Sequence, residues 1–392
     1  MKLTKTILLL FTIIFSIISC TKNDDEILDV DPDIDINSTT YIGNLMLTTQ
    51  KEVDDFEKEG YTAIKGNFTI DSSLTSSDPI TNLDGLKNLE TIEGVLNISF
   101  NDALPNLNGL NNLSSVNSLD IFNNDGLIDV NGLTNLTHIE GELRISYNSA
   151  LININGLKNI GSIEGNLRIY LNENLTNING FNNLTSISKN LEINFNKALT
   201  SIDGLSKLST VGEALHIRDN DALINVDGLA SFSSADELLI FGNEKLTNID
   251  GLQNLTVFEG VISITGNKNL TNLNGLSNLT AVSKGFHFSS NNALTNIDGL
   301  SNLTSVGEYF IIGRNPALTN LDALNNLSSV KSFIIQNNSN LTNFCGINSL
   351  INNLNLTVIN NNYGDRANYK GTIYGNSVNP TLQNFKDGDC SQ

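Results

Sequence analysis

Tryptophan is absent from this sequence, and 392 residues contain only five prolines, three histidines and three cysteines. Aromatic residues make up 6% of the chain. A chain so poor in large rings, yet rich in Leu, Ile and Asn, is suited to many thin and similar core layers rather than to a few deep cores. Basic residues are scarce as well: 22 Lys and Arg stand against 42 Asp and Glu, a net charge of −20. Nothing here could neutralise a phosphate backbone, so nucleic acid is not an expected partner. His138, His216 and His287 are too widely spaced in sequence to suggest a catalytic group. No Cys/His zinc spacing occurs, and the abundant serines lie in no nucleophile-elbow motif. The chain is therefore expected to hold no metal or cofactor and not to be an enzyme.

The one long apolar run lies at the start. Lys2 and Lys5 precede Ile7–Ile18, which is broken only by Thr12 and Ser16 and closes on Ile17-Ile18-Ser19-Cys20. Its length and flanks suit a cleaved leader rather than a membrane span. Ile-Ile-Ser-Cys resembles the lipobox of bacterial lipoproteins. That resemblance implies a signal peptide over 1–19 and acylation of Cys20, which would tie the protein to a membrane by its lipid alone. Thr21 is not the Asp that commonly retains lipoproteins at the inner membrane, and Lys22-Asn23-Asp24-Asp25-Glu26 resembles the acidic tethers of surface lipoproteins. The expectation is an exported, outer-membrane-anchored, monomeric protein at the cell surface, with residues 20–40 as a flexible acidic tether. With Cys20 lipidated, Cys345 and Cys390 remain, an even number in an oxidising compartment, and are expected to form a disulfide.

What dominates the remainder is repetition. An Asp/Asn-Gly-Leu step recurs with its glycine at Gly85, Gly109, Gly132, Gly156, Gly180, Gly204, Gly228, Gly251, Gly275 and Gly299, continued by Ala323 and Gly346, always 23 or 24 residues apart. Such a period marks a solenoid. In one repeat, apolar residues fall on every third position at Leu199, Ile202, Leu205, Leu208 and Val211, then alternate at Leu215 and Ile217. Alternation indicates a short strand with one buried face, and the three-residue spacing a coil that turns corners. A single coil buries too little to offset the entropy of ordering it, so stability must come from stacking. An asparagine precedes each coil's leucine by three: Asn101, Asn124, Asn148, Asn172, Asn196, Asn220, Asn243, Asn267, Asn291, Asn315 and Asn338. An amide donates and accepts, so this column is expected to be buried and to satisfy backbone groups between coils.

The motif L-x-I-x-x-N-x-x-L-T-N-I-D-G-L-x-N-L-x-x-I, often led in by Ile-Glu-Gly (Ile92–Gly94, Ile139–Gly141, Ile163–Gly165), resembles the receptor L domain over about residues 60–350. That module forms the ligand-binding lobes of insulin and epidermal growth factor receptors. The resemblance implies a mostly β, right-handed, leucine-rich solenoid of about twelve 23–24-residue coils. It carries no catalytic residues, and the cysteine-rich modules of the receptors are missing, so signalling is not implied. Thr49-Gln50-Lys51-Glu52 reads as a capping box opening a short helix that turns Val53 and Phe56 inward and ends at Gly60. The expected organisation is an N-terminal helical cap over 41–60, the solenoid over 61–346 and a C-terminal cap over 347–392, pinned by the Cys345–Cys390 bridge.

Two columns invite a functional reading. The residue before each glycine is Asp at some coils (Asp203, Asp227, Asp250) and Asn at others (Asn155, Asn179, Asn274). That mixture fits an Asx turn better than a calcium site, which favours charged ligands at fixed places. The many Asn-Leu-Ser/Thr triplets look like glycosylation sites but follow from the repeat. The solvent face of the strands differs: four of the five arginines (Arg144, Arg168, Arg218, Arg314) fall four, two or one residue before a ladder asparagine. His216, His287, Phe122, Tyr147, Tyr170 and Phe241 join them, and no lysine does. Arg and aromatics mark recognition surfaces. The candidate ligand-binding residues are Phe122, Arg144, Arg168, Tyr170, Glu192, His216, Arg218 and Phe241. Arg144 and Arg168 are expected to stack in adjacent coils and to meet something anionic or planar, unless Glu192 neutralises them. The expected function is binding or adhesion to an extracellular glycan or protein through this face; the alternative is a structural spacer without a specific ligand.

Overall fold

A computed structural model describes residues 39–73, 77–354, 359 and 370–391. Cys20, the leader and nearly all of the expected tether lie outside these residues. The rest forms a mostly β solenoid whose strands join into one 22-stranded sheet with parallel pairing between successive coils. Like stacks on like: Leu167, Leu191 and Leu215 are register partners, as are Ile169, Ile193 and Ile217. The 24-residue period causes this, because each inward position meets its own copy one layer away, about 4.8 Å along the axis.

A typical coil shows how the sequence turns its corners. Leu199, Ile202, Leu205, Leu208, Val211, Leu215 and Ile217 all point into the core. A 3-10 turn at Asp203–Leu205 makes one corner, and strands Thr210–Val211 and Ala214–Arg218 form the next two sides. The glycine of that turn is required by proximity. A Cβ on Gly204 would lie 2.0 Å from the carbonyl oxygen of Ile178 in the preceding coil. The turn is fastened by the residue two before its first position: the Asp203 amide donates to Ser201 Oγ (3.0 Å), and the Asn179 amide to Asn177 Oδ1 (3.2 Å). The side-chain acceptor thus comes from the Asn/Ser column two residues earlier, not from the Asp/Asn column beside the glycine.

The asparagine column is fully buried and fully bonded. The Asn196 backbone amide donates to Asn220 Oδ1 (3.1 Å), while Asn196 Nδ2 donates to the carbonyls of Ile169 (2.9 Å) and Asn194 (3.2 Å). Each asparagine therefore bridges the coil before and the coil after, and Asn101, Asn124, Asn148, Asn172, Asn196 and Asn267 also bond a carbonyl of their own coil. The first rung, Asn101, accepts on Oδ1 from the amide and hydroxyl of Ser72. A last rung, Asn376, accepts from the Asn338 amide (2.9 Å) and gives its own amide to Asn379 Oδ1 (3.1 Å). Further polar columns tie coils together outside. Asn183 Nδ2 donates to the Lys158 carbonyl (2.9 Å) and Thr185 Oγ1 to that of Gly161 (2.9 Å). Asn183-Leu184-Thr185 is one of the glycosylation-like triplets, and both its polar side chains serve coil stacking.

The array is longer than residues 61–346. Strands Thr40–Ile42 and Leu45–Leu47 already pair in parallel with Ala63–Lys65 and Phe68–Asp71. The helix α1 (Gln50–Glu59) follows them within the first coil. It carries the capping box of Thr49 and Glu52, buries Val53 and Phe56, and ends at Gly60 with φ 68°. It lies where later coils place their 3-10 turn, so a Cβ on Gly85 would meet the Val53 carbonyl. At the far end, strand Gly371–Tyr374 adds another layer onto Ser329–Gln336. Two short helices, α2 (Asn348–Asn353) and α3 (Leu382–Asp387), lie in the same terminal region. Cys345 and Cys390 are bridged, Cα atoms 5.0 Å apart, and the Phe344 amide bonds the Cys390 carbonyl at 2.9 Å. The expected C-terminal cap thus contains one more coil, which sequence periodicity misses because Asn376 follows Asn338 by 38 residues.

Candidate ligand-binding face

The strands present three outward columns, lying four, two and one residue before each ladder asparagine. The column at four is Asp120, Arg144, Arg168, Glu192 and His216 over successive coils, and Arg144 and Arg168 are register partners as expected. Their charges are balanced within the sheet. Asp120 takes Arg144 in a two-pronged ion pair. Glu142 (2.8 Å) and Glu192 (3.0 Å) hold Arg168 from either side. His216 lies 3.2 Å from Glu237. The bond from Asp120 keeps Arg144 charged beyond its ordinary range. For Arg168, burial opposes the charge, but Glu192 and Glu142 outweigh it. Two guanidiniums one layer apart therefore need no external anion: the neutralising role considered for Glu192 is real, and Asp120 and Glu142 share it. Asp120 stands in the same column as the arginines, whereas Glu142 lies six residues before its asparagine, outside all three outward columns.

The other two columns carry the rings. Phe100, Phe122, Tyr147 and Tyr170 come from four successive coils and alternate between the two columns. Their ring centroids are 5.4, 5.5 and 5.7 Å apart, each ring nearly perpendicular to the next. Arg144 lies over Phe122, 5.4 Å from the ring centre. Phe195 follows Tyr170 in the next coil, then Arg218, which lies 5.4 Å from the Phe241 ring centre. Phe100, Tyr147, Phe195 and Phe241 remain 41, 43, 41 and 37% exposed, which makes the strip a surface rather than a satellite core. Over seven coils it runs about 30 Å. Sequence reasoning passed over Phe100 and Phe195. Alternation was their signal: either column taken alone shows a ring only at every second coil.

The backbone adds a cost. The residue directly before each ladder asparagine turns left-handed, with φ of 56° at Phe100, 56° at Tyr147 and 59° at Phe195. Bulky residues avoid this region, at about 1 kcal/mol or more relative to glycine. Gly242 and Gly266 occupy the same position in later coils. The strip therefore keeps rings where glycine would relieve strain.

The remaining histidines are dispersed. His138 is 3.9 Å from Glu140 in a short strand, and burial lowers the pKa of His287. Among the described residues, no group of three His, Cys, Asp or Glu side chains comes together as a metal site.

A parallel solenoid with a uniform interior and one differentiated exterior edge is a repeat module suited to presenting a surface. Its sequence matches the receptor L domain family model over residues 135–226, a stretch that includes Arg144, Arg168, Tyr170, Glu192, His216 and Arg218. That portion is receptor L domain-like, which supports a ligand-binding or scaffold role. No curated protein matches the chain.

Proposed function

We propose that the protein is a non-enzymatic, lipid-anchored surface protein that binds an extracellular ligand, glycan or protein, through the exposed face of its sheet. The observation carrying this reading is the aromatic strip from Phe100 to Phe241, in which Phe100, Tyr147 and Phe195 are kept exposed at left-handed positions where glycine would be easier. The receptor L domain match over the middle of the strip agrees with it. A glycan and protein array probed with the purified full-length chain tests it: specific capture that is lost on Phe100→Ser with Tyr147→Ser supports the reading, and an array without capture favours a spacer. The anchoring half rests on Ile17-Ile18-Ser19-Cys20. Cys20→Ser should move the protein from the membrane fraction to soluble material, and external protease should remove the surface signal of the unaltered form. A Cys20→Ser chain that stays membrane-bound after its leader is cleaved would reject lipidation.

A further inference from the structure

The aromatic strip is interrupted once by a polar notch. Tyr170, Asn194, Arg218 and Phe241 are successive register partners in one column, so the amide and the guanidinium sit between two rings, with exposed Phe195 beside them. Asn194 is 9% exposed, and among the described residues its Oδ1 has no hydrogen-bond partner; Arg218 Nε is buried and also has none, as is true of Ser146 Oγ two coils before Asn194 in the column. Unlike Arg144 and Arg168, Arg218 makes no ion pair among the described residues and rests on Phe241 instead. Two unmet polar atoms side by side are unusual in a sheet that satisfies its backbone so thoroughly, and each costs stability if left unfilled.

We propose that this notch is a subsite for one sugar residue of an uncharged linear polysaccharide, whose chain continues along the strip toward Phe100. The inference rests on the ligand-binding reading above and names its ligand class. Asn194 Oδ1 lacks a donor and Arg218 Nε an acceptor, one layer apart; both atoms are covered in the unliganded chain, so a ligand meets them only as these two side chains turn outward. Neighbouring hydroxyls of a sugar supply both, whereas a carboxylate supplies only the second. The C–H face of a sugar ring suits the negative faces of the flanking rings. An acidic chain would meet Asp219, Glu192 and Glu237 in a molecule of net charge −20. The strip is narrow and about 30 Å long. A protein partner needs a broad patch of roughly 800 Å² with an apolar centre, whereas a single extended chain needs a line. Rings in the column directly before the asparagines (Phe100, Tyr147, Phe195) recur at every second coil, about 9.6 Å apart, comparable to the advance of a disaccharide in an extended β-linked chain.

The test is affinity electrophoresis of the purified full-length chain through gels containing neutral β-glucan, xylan or mannan, with polygalacturonate as the acidic comparison. Retardation is expected in at least one neutral gel and not in polygalacturonate. Asn194→Leu and Phe195→Gly should each weaken it at least tenfold, while Arg314→Ser, outside the strip, leaves it unchanged. Phe195→Gly should keep or raise the melting temperature, which separates loss of binding from loss of fold. Retardation by polygalacturonate alone, or by a neutral polysaccharide equally in all variants, overturns the subsite. Capture of an array protein with no retardation in any neutral gel overturns the sugar but leaves ligand binding standing. No capture on the array and none in the gels overturns both.

Discussion

The coils from Asn101 to Asn220 and those from Asn243 to Asn338 share one interior and differ outside. Both halves bury the same inward positions, aliphatic almost throughout the first and partly phenylalanine in the second (Phe258, Phe286, Phe288, Phe310, Phe333), and the ladder amides run through both without a gap. In the two ring-bearing columns, however, Phe100, Phe122, Tyr147, Tyr170 and Phe195 give way beyond Phe241 to Gly242, Thr265, Gly266, Ser289, Ser290 and Gly313, and then to Arg314, Gln336 and Asn337. The second half shows that the fold alone asks for no ring at those positions: small and polar residues fill them, with glycine at some left-handed sites. Rings in the first half are therefore an addition to the fold, made at some cost in strain.

If the interior is uniform, damage to it should be blind to position. Ile193→Ala and Ile264→Ala remove stacked, fully buried side chains from the two halves and should each destabilise by about 2–5 kcal/mol. Chemical denaturation of both variants would break the comparison if their costs differed severalfold. The ladder comes next. Asn196→Ala and Asn291→Ala orphan the amide of the preceding rung (Asn172 or Asn267) and the carbonyl of Ile169 or Ile264, and should each cost roughly 1–3 kcal/mol. Neither should alter ligand capture, and an unchanged melting temperature would show the rung to be dispensable. Smaller still is Arg144→Ser with Arg168→Ser. Both arginines are about a third exposed and ion-paired, so their joint loss should cost about 1 kcal/mol or less. That cost should shrink as salt rises, which melting curves at low and high ionic strength would reveal.

The smallest effect concerns pH. Burial, with Asp203 and Asp250 in the flanking coils, raises the pKa of Asp227. A carboxyl with a raised folded-state pKa destabilises the fold while ionised. The penalty is present above that pKa, lost as pH falls through it, and gone below the ordinary Asp value. Asp227→Asn should therefore melt slightly higher than the parent at pH 7 and coincide with it in acid, where the carboxyl is protonated anyway. An advantage that persisted or grew on acidification would show that the stacked carboxylates are not its source.

The interior was readable because a solenoid writes each contact once per period. Leu199 to Ile217, the glycine column and the asparagine column are visible without knowing which coil touches which. The exterior was less readable because its contacts cross coils at unequal offsets. Arg168 reaches Glu192 at the same column position but Glu142 two residues off it. Likewise the ring contacts zigzag between two columns, so that Phe100 pairs with Phe122 rather than with Tyr147. The ends escaped periodicity for a different reason: the first coil replaces its turn with α1, and the last is set off by an insertion before Asn376.

The ladder has a direction, since every backbone amide along it points to the next asparagine's oxygen. A fibre of such coils could in principle grow without limit, each free rung templating another. Here Ser72 fills the first acceptor and Asn379 answers the last donor, both from within the same chain. The molecule is thus a polymer carrying its own terminators. At the first rung the Ser72 backbone amide would remain even in Ser72→Ala, so that terminator is written into the main chain, whereas Asn379→Ala would leave the body of the spine intact and remove the side-chain oxygen that answers its last amide.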